Sequence, residues 1–175
     1  SFYEQLETRG KDVLDKLGEE DFALVIISRP YNGCDSGVNL DLPEKLRDLG
    51  VLAIPMDFLT LDLEDISKDY PNMYWKTGQK FLAAARIISR DKRLYPLYIT
   101  NFGCGPDSFI SKFFAKELAG KPCLTIEIDE HSSDVGAITR CEAFIDSLKN
   151  VKPFYQGKKL SDDVPTRVLA EKKKR

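Results

Sequence analysis

The sequence lacks several short signatures that would assign it a chemistry outright. None of its four cysteines forms a CxxC pair, which argues against an autonomous zinc module. Neither GxGxxG nor a GxxxxGK run followed by Ser or Thr occurs, so no glycine-rich phosphate cradle is expected and classical nucleotide binding is the weaker idea. No stretch approaches the roughly 20 apolar residues that span a bilayer, and no charged-then-apolar segment opens the chain. The expected location is therefore cytoplasmic, where cysteines stay reduced and their roles shift from disulfides toward burial, metal binding or catalysis. Charge of one sign is also missing: the net value of -2 gives no general attraction to nucleic acid or anionic membranes. The basic run Lys172-Lys173-Lys174-Arg175 reads as a solvated tail. No internal repeat or low-complexity segment is present beyond those lysines.

What is there suits one α/β domain. With 175 residues, 42% hydrophobic and 31% charged, the chain can bury one core but not two comfortable ones. Four apolar runs, 23–28, 51–56, 94–100 and 122–128, alternate with helical patterns at 41–49, 74–89, 108–119 and 136–149. Continuous apolar runs such as Ala23-Leu24-Val25-Ile26-Ile27 indicate strands covered on both faces. The expected fold is a Rossmann-like three-layer α/β/α domain with a mostly parallel sheet of about four strands. Residues 1–20 read as an N-terminal helix or linker, 21–150 as the domain, and 151–175 as an extended segment. The chain opens on Ser1, and the expectation is a piece of a longer polypeptide.

In such a fold ligands sit outside the carboxyl ends of the strands. Strand one is followed by Arg29-Pro30-Tyr31-Asn32-Gly33-Cys34-Asp35-Ser36-Gly37, strand two by Asp57-Phe58, strand three by Asn101-Phe102-Gly103-Cys104-Gly105-Pro106-Asp107-Ser108, and strand four by Asp129-Glu130-His131-Ser132-Ser133. Cys104 is the leading candidate, since a thiol before a helix lies near its positive end, with Asp107 as the expected N-cap. Gly103 and Gly105 let a bulky group approach the backbone. Cys34 shares the rim and can approach Cys104 if strands one and three are neighbours; an incidental loop cysteine is equally compatible. Arg29 and Tyr31 can bind a phosphate or carboxylate, or Arg29 can pair with Asp57 or Glu130. Cys123 and Cys141 fit the core, as do Tyr74, Trp75 and Phe81. His131 reads as a ligand, a proton donor, or a residue bonded to nearby backbone. A thiol hydrolase with Cys104 as nucleophile and His131 as base requires the two within hydrogen-bond reach.

The segments Arg29-Pro30-Tyr31, Tyr74-Trp75 with Gly78-Gln79, Asn101 to Ser108 and Asp129 to Ser133 together resemble a known group. They are similar to the dehydratase-like domain of 2-hydroxyglutaryl-CoA dehydratase activators, or acyl-CoA dehydratase activase-related proteins, over about 23–148. The resemblance implies fusion to an actin-like ATPase activase, and kinship to subunits of 2-hydroxyacyl-CoA dehydratases and benzoyl-CoA reductases. Those relatives hold an iron-sulfur cluster on cysteines and receive electrons driven to low potential by ATP hydrolysis. It further implies Cys104 as a [4Fe-4S] ligand, with Cys34 as a second thiol where many members carry a histidine-containing loop. Arg29, Tyr31, Gly103, Gly105 and Asp107 are the cofactor-binding positions in this reading. The chain lacks the activase's own ATP-binding sequences and has too few cysteines on the rim for a whole cluster. It is thus expected to act with other domains, either in electron transfer or as a non-catalytic module docking an acyl-CoA or a partner protein.

Overall fold

The computed structural model describes residues 2–101 and 104–151. Four strands, β1 (Ala23–Ile27), β2 (Leu52–Pro55), β3 (Leu94–Asn101) and β4 (Leu124–Ile128), form one sheet in the order β2-β1-β3-β4. Every pairing is parallel, with Val25 opposite both Ile54 and Pro96, and Ile99 opposite Ile126. Parallel neighbours need crossovers, and the helices supply them: α4 (Leu42–Asp48) before β2, α5 (Lys76–Arg90) before β3, and α6 (Gly105–Glu117) before β4. The chain begins with α1 (Phe2–Asp15) and the described part ends with α7 (Asp134–Val151). This is the three-layer α/β/α arrangement expected from the alternating apolar runs.

Alternation along the strands divides the core in two. Ala23, Val25 and Ile27 of β1 face α5 and α6, where they meet Phe81, Leu82, Ile88, Ile110 and Phe114. Leu24 and Ile26 face the other way, onto Leu42 and Leu46 of α4 and Cys141, Ile145 and Leu148 of α7. All five β1 residues are buried because the strand is interior and covered on both sides. Cys141 is a core residue as expected, and burial pushes its thiol up to about 11. Cys123 is not: it is exposed, just ahead of the edge strand β4, where only Ile126 and Ile128 are buried, on the α7 side. Arg140 donates to the Thr125 carbonyl at 2.7 Å, blunting that open edge.

The segment after β1 also differs from a plain loop. It winds into two short helices, α2 (Pro30–Cys34) and α3 (Ser36–Asn39), with Asp35 capping α3 through bonds from the Gly37 and Val38 amides. Pro30 at the first helical position starts α2 without losing a bond, because that N–H has no intrahelical acceptor. Tyr74 stands outside α5 and is 83% exposed, not part of the aromatic stripe expected there. The N-terminal helix packs on the domain: Gly10 is buried and lies against the backbone of Phe58. The expected extended segment lies outside the described residues beyond its first position.

Candidate functional site at the carboxyl end of the sheet

Sheet order places β1 beside β3, and the chain leaves these two strands toward opposite faces. From β1 it passes to α4 on one side; from β3 it passes to α6 on the other. The crevice where such connections diverge is the usual ligand position in open parallel sheets. Arg29 follows β1 at this point and Cys104 follows β3.

The two are in contact. Arg29 Nη2 donates to Cys104 Sγ at 3.0 Å, while Arg29 Nε and Nη2 both donate to Asp107 Oδ1, at 3.1 and 3.0 Å. The other carboxylate oxygen, Asp107 Oδ2, accepts from Thr100 Oγ1 at 2.8 Å. Asp107 is only 2% exposed and Arg29 20%. Burial, the largest single influence on Arg29, acts against its charge, but the bonds and charge of Asp107 outweigh it and raise the arginine's pKa. The guanidinium also lies over the Trp75 ring, 5.3 Å from its centroid. Stacked on one side and bonded along its edge, Arg29 is held in one orientation toward the sulfur.

Two expectations are corrected by this geometry. Asp107 is not the N-cap of α6; Cys104 is, and the helix begins at Gly105, with Pro106 in its first turn. Starting three residues earlier than the sequence suggested turns Asp107 inward, where a buried carboxylate needs a cation and finds Arg29. Arg29 accordingly pairs with neither Asp57, which binds Lys80 at 2.9 Å, nor Glu130.

The remaining candidates are distributed as follows. Gly105 has open space where a side chain would stand, and Gly103 lies outside the described residues. Tyr31 is 49% exposed and close enough to influence the charge of Arg29. Cys34 is exposed at the end of α2, and none of the four cysteines is in a disulfide. His131 is 86% exposed, with Glu130 Oε1 3.7 Å from its Nε2, and its backbone N–H donates to Asp129 Oδ1 at 2.9 Å; no hydrogen bond joins it to Cys104. Among the described residues, no group of three or more His, Cys, Asp or Glu side chains could hold a metal ion. No helix among them is long and apolar enough to cross a membrane. Thr100 went unassigned in the sequence because a threonine ending an apolar strand looks like any other; only its contact with Asp107 marks it.

Fold and site thus define a doubly wound α/β domain that presents a thiol, fixed by an arginine and a buried carboxylate, at its topological switch point. Residues 1–59 of the chain match the model of a family described as CoA enzyme activase uncharacterised domain (DUF2229). The matched part runs from α1 through β2 and includes Arg29, Tyr31 and Cys34. No curated protein and no solved structure matches the chain.

Proposed function

We propose that this chain is the thiol-presenting domain of an activase-related iron-sulfur protein, in which Cys104 supplies one thiolate to a cluster used in ATP-coupled, low-potential electron transfer. The observation that carries this reading is the Arg29–Cys104 hydrogen bond at the carboxyl end of the sheet. Hydrogen bonds to ligating sulfur are among the levers that set cluster potentials, and a bond from a cation is stronger than one from a neutral donor. When bound, such a cluster supplies one-electron transfer. Asp107 holds Arg29 in line with the sulfur, Thr100 holds Asp107, and Trp75 covers the guanidinium face. Cys34 is the second thiol this reading offers. The donor set fits one or two cysteine ligands of a shared cluster, not a complete site, so the remaining ligands come from another domain or subunit, with an actin-like ATPase activase as electron donor.

Iron and acid-labile sulfide assayed in the full-length native protein, prepared without oxygen, test this directly. Stoichiometric iron is expected in the wild type and loss of it in Cys104→Ser, with the thermal midpoint of the apo form unchanged. Iron that survives in the variant, or is missing from the wild type, ends the reading.

A second reading, a non-catalytic module docking an acyl-CoA or a partner protein, is favoured by exposed aromatics on the segments around the site: Tyr31 at 49%, Tyr74 at 83% and Phe109 at 63%. It predicts acyl-CoA binding, measured by calorimetry, that is unchanged in Cys104→Ser and weakened at least about tenfold in Arg29→Lys, which keeps the charge but loses the planar fork. The cluster reading predicts no such dependence in the apo protein.

A further inference from the structure

Asn32 is the one buried side chain of α2 and is completely enclosed, yet among the described residues neither its amide nitrogen nor its amide oxygen has a hydrogen-bond partner. Among the described residues the Oδ1 atoms of Asn39 and Asn101 are buried and unpartnered as well, as is the Tyr98 hydroxyl on β3. All three asparagines belong to the β1/β3 crevice. Asn32 sits on the turn after β1, Asn39 donates from Nδ2 to the Gly33 carbonyl of that same turn at 3.1 Å, and Asn101 closes β3. Buried polar groups in folded proteins are paired almost without exception, because each unpaired one costs about 1–3 kcal/mol. Four such asparagine atoms around a topological switch point are placed where a ligand could supply the missing partners.

From these atoms we infer that the crevice binds a primary carboxamide, read by Asn32. The unmatched asparagine atoms are one NH2 donor and three acceptor oxygens. A ligand carboxamide answers it: its carbonyl accepts from Asn32 Nδ2, one of its N–H groups donates to Asn32 Oδ1, and the second donates to the oxygen of Asn39 or Asn101. A carboxylate brings acceptors only and meets three oxygens, and an ammonium leaves Nδ2 unanswered. Asn32 already lies in the segment Arg29 to Gly37, but nothing in that sequence separates an unpaired buried amide from an ordinary turn asparagine.

The way in is the α2 turn itself. Its Pro30, Tyr31 and Cys34 are exposed, so it buries almost no apolar surface, and segments of that kind open locally at small cost. Its seat is nonetheless defined. A Cβ on Gly33 would stand 2.4 Å from Ser28 Oγ, so the turn sits close on the end of β1 and a side chain there would force the Ser28 hydroxyl to rotate.

The experiment titrates isotope-labelled protein with nicotinamide and with nicotinate, an amide and its acid of nearly the same shape, followed at the Asn32 side-chain amide and the Gly33 backbone amide. Saturable shifts are expected with nicotinamide, and binding of nicotinate at least about tenfold weaker, the scale of one unmatched buried group. Asn32→Leu should abolish the nicotinamide response without lowering the thermal midpoint, since an apolar replacement relieves an unpaired buried group. Should that variant fail to fold, Asn32→Asp keeps the shape, removes the donor and is expected to lose the response too. Absence of saturable nicotinamide shifts, unchanged binding in either variant, or a preference for nicotinate, which would put the ligand on Arg29, overturns the assignment. None of these readouts depends on iron, so this inference and the cluster reading fail separately.

Discussion

Asp107→Ala is expected to lower stability by about 3 kcal/mol, or roughly 6–12 °C in thermal midpoint for a domain of this size, as measured by chemical and thermal denaturation. The loss comes less from the ion pair itself than from what truncation leaves behind. A pair buried to this degree gives up much of its Coulomb gain to desolvation, but removing one partner strands the other. Here the stranded groups are the Arg29 guanidinium, 80% removed from solvent and left with Cys104 Sγ alone, and the buried Thr100 hydroxyl, which donates to Asp107. Replacing both ends with apolar residues, Arg29→Met with Asp107→Leu, should restore most of the lost stability while abolishing the contact to Cys104. A single variant as stable as the wild type would show that the pair does not organise this end of the sheet. The double variant also separates stability from function: in the cluster reading it keeps the fold and shifts the potential of the bound cluster.

The second large effect is expected at Gly10. A Cβ built there would lie 2.0 Å from the Phe58 carbonyl oxygen and 2.7 Å from its carbon, and because these are backbone atoms no side-chain rotation can relieve the overlap. Glycine inside a helix ordinarily costs about 1 kcal/mol relative to alanine, so its presence in α1 reflects this close approach. Gly10→Ala should therefore destabilise by about 3 kcal/mol or displace α1 altogether, against the usual gain for that exchange. Displacement would uncover Val13, Leu14 and Leu17, which pack on the α5/α6 side of the core, and would be read as loss of amide-exchange protection across 2–15. Gly136→Ala in α7, where the nearest outside atom is Ser133 Oγ at 3.9 Å, is the matched control and should be neutral or stabilising by up to about 1 kcal/mol. Equal effects at the two glycines would sink the close-approach argument.

The architecture was legible because its signals are local. Ala23 to Ile27 reads as a doubly covered strand from five consecutive apolar residues, and the faces of α5, α6 and α7 follow from helical spacing: Phe81, Leu82, Ala85 and Ile88, then Ile110 and Phe114, then Cys141, Ile145 and Leu148 are all buried. Strand ends came within a few residues of the observed ones. Errors arose where two local signals competed. Asp107 and Pro106 both mark a helix start, and the proline's fixed φ moved it upstream, turning a surface cap into a buried ion-pair partner. Cys123 and Tyr74 carry apolar character, but one precedes an edge strand and the other stands outside its helix, and neither position is visible from composition.

The sequence by itself determined the alternation of strand and helix, hence a parallel sheet, and with it the collection of Arg29, Tyr31, Cys34 and Cys104 on one rim, because parallel strands end on the same side. Tertiary structure decided which of those residues meet. The order β2-β1-β3-β4 brings Arg29 and Cys104 together across 75 positions of chain, and it encloses Asn32 with both amide atoms unmatched among the described residues. Strand order and burial depend on how distant segments pack, and no spacing along one segment encodes them.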